Sequence, residues 1–284
     1  MLDLLRDFVA EASSSHWSDL NLLRRLNVAQ RRVALNVATT AGQWLTTSTS
    51  VTPSNSVITL PSDCAKPLYL EEALSGTKVS WIPSVSYRRR DRATGSTLST
   101  IGSREAYPLM STIVVNQANY STACTLWYQI RVPKLHCGTA QSGSGANALE
   151  LDDRSEANGG TGREIVLIDD YYNGAVVEVI DDTSGIVDIR STISDYDSAT
   201  HVLTIMGTPA DGDTYGTVSR LPEETHELIV LEAAVMALMK PASTLDKSVL
   251  EGYMVERGEM RKEVYGWLES RMPEPGYVNI GDEY

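Results

Sequence analysis

Apolar positions near the start of the chain recur at helical spacing. In residues 2–12, Leu4, Leu5, Phe8 and Val9 share one side, and Ser13, Ser14 and Ser15 break the pattern. Ser18 is placed to cap the next helix, with Asp19 in its first turn, where the helix dipole favours an acid. From there to about Ala41, Leu22, Leu26, Ala29, Val33 and Val37 step by four, three, four and four. That spacing predicts one buried helix face, closed by Gly42.

The period then shortens to two. Val51, Val57 and Leu60 flank Pro53–Ser56, which reads as a hairpin with a loop, and Pro61 ends its second strand. Residues 66–72 and 77–82 read as strands around Ser75-Gly76, and 83–92 as a short helix ending in a basic run. Residues 111–116 and 121–132 read as a strand pair turning near Asn119. In the second of these, Cys124, Leu126, Tyr128, Ile130 and Val132 alternate with Ala123, Thr125, Trp127, Gln129 and Arg131, and Pro133 stops it. Residues 138–162 are rich in Gly, Ser and Asn and read as linker. Beyond them, short strands are expected at 163–169, 174–181, 186–193, 201–206 and 214–219, with turns at Asn173-Gly174, Ser184-Gly185 and Asp211-Gly212. Such spacing suggests a small barrel or sandwich.

Helical spacing returns after Pro222, which stands where a first-turn proline would, ahead of Glu223 and Glu224. Leu228, Leu231, Val235 and Leu238 lead to Lys240, and Pro241 breaks the helix. A longer helix follows with Leu250, Tyr253, Met260, Val264 and Trp267 near heptad spacing, its apolar face interrupted by Arg257. Residues 272–284, with Pro273 and Pro275, predict an extended tail carrying Tyr277, Val278, Ile280 and Tyr284. Helices near both ends must pack together for either to bury its apolar face. The expected class is therefore α+β. It comprises a bundle of N- and C-terminal helices with an antiparallel sheet (1–137 and 220–271), an inserted small all-β domain, barrel or sandwich (138–219), and the tail (272–284).

Charge sharpens this division. The net charge is −13 over 284 residues. Residues 146–219 hold fifteen Asp and Glu against three Arg, whereas the remainder holds twenty-two acids and twenty-one bases. The acidity thus belongs to the internal β segment, and a field of this sign disfavours general nucleic-acid binding. Three cysteines without paired spacing argue against a disulfide framework and for a reducing compartment. No basic region followed by an apolar run opens the chain, so no signal peptide is expected, and no stretch reaches the length of a spanning helix. Thirteen Tyr and five Trp against one Phe favour rings with a polar handle, which suit partly wet interfaces.

Catalytic patterns are sparse. His16, His136, His201 and His226 have no metal-ligand spacing, and the adjacent His136-Cys137 pair has poor geometry for a shared ion. Gly143-Ser144-Gly145 and Gly159-Gly160-Thr161-Gly162 lack the lysine and the strand-to-helix setting of a phosphate loop. Asp152-Asp153, Asp169-Asp170, Asp181-Asp182, and Asp211 with Asp213 are oxygen-rich turns that calcium could use, but without EF-hand spacing; solvated strand flanks are the simpler reading. No cofactor is expected. Arg88, Arg89, Arg90 and Arg92 form the densest basic run, read either as a solvated turn or as a positive girdle facing DNA or an acidic partner.

The stretch WSDLNLLRRLNVAQRRVALNVATTAGQWLTTSTSVTPSNSVITLPSDCAKPLYLEEA resembles the opening of the head-to-tail adaptor (connector) proteins of tailed bacteriophages, with Asn27, Ala29 and Gln30 as the Asn-x-Ala-Gln motif and Leu60-Pro61 as a Leu-Pro pair. The segment from Leu221-Pro222 to Leu268 resembles the closing helix pair of that family, and STACTLWYQIRVP the strand before it. The departure is 137–219, which the minimal adaptor pattern lacks. The resemblance implies a virion protein rather than an enzyme. It implies a homo-oligomeric, dodecameric ring between the portal protein and the tail nozzle or tail tube, assembled in the host cytoplasm. Packaged DNA would pass through its lumen, with tail-fibre contact a further role. Tyr277, Val278, Ile280 and Tyr284 would then reach the portal, and Arg88, Arg89, Arg90 and Arg92 an inter-subunit or lumen surface. The rival readings are a carbohydrate- or host-binding module of a phage tail, and a hydrolase with an unrecognised carboxylate site.

Overall fold

The structure is a computed structural model describing residues 1–9, 17–81, 105–115, 119–239 and 247–270. The chain is α+β. Among the described residues there are four α-helices: α1 (Leu2–Phe8), α2 (Asp19–Thr40), α3 (His226–Leu238) and α4 (Lys247–Ser270). Two compact units are present, Leu45–Arg131 and Met1–Trp44 with Val132–Tyr284. The acidic segment 138–219 shares a unit with the helices, and the sheet expected beside the helices forms the other unit.

The Leu45–Arg131 unit is a seven-stranded sheet. Its strands are β1 (Thr46–Val51), β2 (Val57–Thr59), β3 (Cys64–Glu72), β4 (Lys78–Trp81), β5 (Glu105–Leu109), β6 (Thr112–Val115) and β7 (Cys124–Ile130). They lie in the order β1-β7-β3-β4-β5-β6-β2. The sheet is mixed and not purely antiparallel, because β4 and β5 run parallel, with Ser80 opposite Glu105. The expected hairpin across Pro53–Ser56 does not form: β1 pairs with β7 and β2 with β6, at opposite ends of the order. Nor do β6 and β7 pair with each other, although both are strands. Six strand steps in a flat sheet span about 29 Å. The six residue steps from Val51 to Val57 reach at most about 21 Å, so the sheet must curl. Curling gives β7 its buried face, where Cys124, Leu126 and Tyr128 join Ile58, Leu70 and Ile113 in the core.

In the other unit α3 is apolar almost all round and is buried along its length. Against it α2 sets Leu22, Leu26, Ala29, Val33 and Val37, the face that the spacing predicted. The Ser18 hydroxyl accepts a hydrogen bond from Asn21 N–H at 3.3 Å, as the cap reading requires. Ala41, not Gly42, terminates α2; Gly42 opens a 3₁₀ turn. Helices from the two ends of the chain meet through Phe8 and Tyr253, edge to face at 5.4 Å. Asn36 also donates to the Tyr265 hydroxyl at 3.1 Å.

The same unit carries β8 (Cys137–Thr139), β9 (Ala148–Glu150), β10 (Val176–Ile180), β11 (Val187–Thr192), β12 (Asp195–Asp197), β13 (Val202–Thr204) and β14 (Thr214–Val218). They form two small sheets, β11-β10-β14-β8 and β12-β13-β9. The strands expected near 174–181, 186–193, 201–206 and 214–219 are present; the one expected at 163–169 is not, a 3₁₀ turn at Gly162–Glu164 taking its place. The linker reading of 138–162 is corrected outright. Ala140, Leu149 and Leu151 are fully buried in a core with Tyr172, Tyr196 and Tyr215. Its glycines serve close packing: at Gly160 and Gly162 a Cβ would come within 2.3 Å and 2.2 Å of backbone carbonyl oxygens.

Candidate functional site

The Asn-x-Ala-Gln motif lies on one face of α2 and clamps the chain after β7. The Asn27 side-chain amide donates to the Leu135 carbonyl at 3.0 Å, and its oxygen accepts Leu135 N–H at 2.7 Å. One turn on, Gln30 donates to the Pro133 carbonyl at 2.7 Å. Ala29 is fully buried between them, where a larger side chain would hold α2 off its neighbours. Three backbone groups of an irregular segment thus gain partners from two amides.

Around the clamp, α2 is fastened to the acidic β part. Arg24 pairs with Glu164 at 2.8 Å, Lys134 reaches the same carboxylate at 3.5 Å, and the Ser18 hydroxyl donates to Glu156 at 2.6 Å. Arg25 stacks over Trp17 and donates to the Met236 carbonyl on α3. Burial lowers its guanidinium from the ordinary value.

Where β8 begins, a buried chain of hydrogen bonds runs through His136. Asp152 N–H donates to the Tyr215 hydroxyl at 2.6 Å, and that hydroxyl lies 2.9 Å from His136 Nδ1. The Tyr215 hydroxyl and His136 Nδ1 thus share one hydrogen bond, whose direction is set by the imidazole tautomer. Burial pushes the His136 pKa down to about 4, against smaller upward pulls from Asp152 and Glu164. Burial also pushes the Cys137 thiol up to about 12. At neutral pH burial thus holds both the imidazole and the thiol in their neutral forms. Burial disfavours ionised Asp152, but Arg154 outweighs it and holds the carboxyl below its ordinary range, with guanidinium bonds of 2.9 and 2.8 Å.

A third constellation lies on α3. Glu232 is 1% exposed, with Arg257 of α4 at 3.7 Å and Arg261 closer still. Sequence reasoning missed Glu232. The available signal was double: a lone acid inside LIVLEAAVMAL, and Arg257 interrupting the apolar face of the next helix.

Three acids of the β segment serve turns. Asp169 accepts from the Ser198 hydroxyl and N–H, Asp181 from the N–H groups of Ser184 and Thr183, and Asp197 from Ala199 N–H and the Thr200 hydroxyl. These bonds to the ionised form lower all three carboxyls from their ordinary value. Among the described residues no group of three or more His, Cys, Asp or Glu could hold a metal ion. The second Leu-Pro pair forms a corner, with Pro222 accepting from Thr225 N–H at 2.9 Å and its hydroxyl at 2.7 Å. Arg88, Arg89, Arg90 and Arg92, and Tyr277, Val278, Ile280 and Tyr284, lie outside the described residues. No protein-family model matches the chain, and no curated protein matches it.

Proposed function

We propose that the chain is a structural subunit of a tailed-phage neck, forming a dodecameric ring between portal and tail rather than catalysing a reaction. The observation that carries the reading is the use of the motif on which the resemblance rests. Asn27 and Gln30 hold 133–135, the link from the motif-bearing strand β7 to the C-terminal half of the chain. The residues quoted for the family are thus joined by direct bonds, as parts of one architecture would be. The acidic segment 138–219 reads as an elaboration inserted into that architecture. Its entry and exit run side by side, with Cys137 opposite Gly216 and Thr217 N–H donating to the His136 carbonyl at 2.8 Å.

Charge argues that this segment faces away from a DNA channel, since fifteen acids against three arginines would be repelled by packaged DNA. The arginines at 88, 89, 90 and 92 suit an inter-subunit or lumen surface, and the apolar residues of the tail suit docking on the portal. Electron microscopy of the purified full chain mixed with its co-encoded portal tests the proposal. Twelve-fold rings capping the portal are expected; a portal left bare at saturating concentrations refutes it.

A further inference from the structure

Two helices of the same unit carry exposed outer faces. On α4, Val264 and Leu268 turn inward, while the opposite side presents Gly252, Val255, Glu259, Lys262, Glu263 and Gly266 to solvent, acids outnumbering the one base. Val255 is 63% exposed. A Cβ added at Gly252, Gly258 or Gly266 meets nothing within 4 Å. Packing within the chain therefore does not require glycine at these positions, although glycine weakens a helix relative to alanine. On α2 the side away from Leu26, Ala29 and Val33 presents Arg31, Arg32 and Leu35, and Leu35 is 62% exposed. Among the described residues neither arginine forms an ion pair, nor does Glu259 or Glu263.

We infer that these two faces are complementary halves of one self-association interface, in which α2 of one copy lies against α4 of the next. The occupant is a second copy of this chain because the complement of each face is on the chain itself. Two arginines beside an exposed leucine match two glutamates beside an exposed valine, and the glycines let a neighbouring helix approach closely. The faces belong to different helices, so a head-to-tail contact leaves one face free at each end and propagates until a ring closes. This inference rests on the ring reading and supplies the surface that reading lacks.

Charge exchange in the full chain, read by sedimentation equilibrium and mass photometry, tests it. Arg31→Glu with Arg32→Glu, and separately Glu259→Lys with Glu263→Lys, should each weaken self-association at least tenfold. The four substitutions together, or the two double variants mixed one to one, should restore it, because each acidic face again meets a basic one. Gly252→Leu should weaken association without lowering the melting temperature of the monomer, which separates loss of the interface from misfolding. Wild-type oligomers that no exchange weakens, or weakened variants whose combination is not rescued, overturn the interface and leave the ring reading standing. Unchanged association alongside lost retention of a double-stranded DNA oligonucleotide by the arginine variants assigns the α2 face to nucleic acid and overturns the inference. A closed pair of two copies with the rescue intact supports the interface and refutes the ring. A wild-type chain that stays monomeric up to millimolar concentration refutes both.

Discussion

Asn27 and Leu135 exchange two hydrogen bonds, the side-chain amide of one mimicking a strand partner for the backbone of the other. A sequence pattern thereby has a physical use. An α-helix has no free backbone groups in its middle, so only a side chain can tie an irregular segment to it. Asn27→Asp keeps the acceptor but turns the donor into a second acceptor facing the Leu135 carbonyl. Loss of about 1–3 kcal/mol is expected, read as a lower urea midpoint with an unchanged slope. Asn27→Ala should fall in the same range. A change within experimental error in both would show that the clamp contributes nothing to stability.

Glu232 gives the largest expected effect of a single substitution. It is almost fully buried, and Arg257 and Arg261 lie against it while keeping part of their guanidinium groups in water. Removing one partner of such a cluster strands the other charges, and Glu232→Gln should cost about 3 kcal/mol, reduced to the extent that water screens the arginines. Replacing all three residues with methionine should recover most of that loss, since desolvation of the charges disappears with them. Guanidinium denaturation of the two variants measures the difference. A triple variant no more stable than Glu232→Gln would mean that the arginines hold α4 by something other than charge.

Much of the helical framework was legible in the sequence. The α2 face from Leu22 to Val37 and the Ser18 cap follow from local chemistry, whereas Pro222, expected in a first helical turn, instead precedes a 3₁₀ turn at Glu223–Thr225 and α3 starts only at His226. Strand positions were also close, because alternation and turn residues are local signals. Pairing was not legible. Val51 and Val57 are six residues apart yet lie on strands at opposite ends of a sheet, since partners are set by where distant segments close. The misreading of 138–162 has a different cause. Small residues are common both where a chain is loose and where backbones pack closely, and composition does not distinguish them; Gly160 and Gly162 belong to the second kind. His136 was visible only as an isolated histidine, because Tyr215 and Asp152 reach it from far along the chain.

Stability should depend on pH through His136. Its folded pKa of about 4 lies below the ordinary value of 6.5, so the folded state favours the neutral ring. The contribution is complete above about pH 6.5 and is lost as pH falls from there towards 4, because the unfolded chain takes up the proton first. The span corresponds to about 3 kcal/mol. Protonation would also force Nδ1 to donate towards a hydroxyl already accepting from Asp152. Unfolding free energies measured between pH 7.5 and 4.5 should fall for the wild-type chain and fall less for His136→Gln. Parallel curves would show that His136 is not the titrating group.

The acidic β segment should be removable. Its core is its own: Leu149, Val177, Val179, Leu203 and Tyr215 pack on one another. What ties it to α2 is polar and in part exposed, chiefly Arg24 with Glu164 and Ser18 with Glu156. Each such bond contributes at most about 1 kcal/mol, less than a helix body with fully buried α3 can lose and still fold. The backbones at His136 and Thr217 already lie side by side, so an Asn-Gly turn joining them should close without strain. The resulting chain should unfold in one cooperative transition, with Asn27 still bound to the retained Leu135. It should also migrate as a much less acidic protein, since most of the net charge leaves with the segment. A broad, non-cooperative transition would show that 138–219 is part of the helical body's own fold. A sharp transition with self-association intact would place the segment outside both the core and the subunit interface, leaving outward-facing partners as its use.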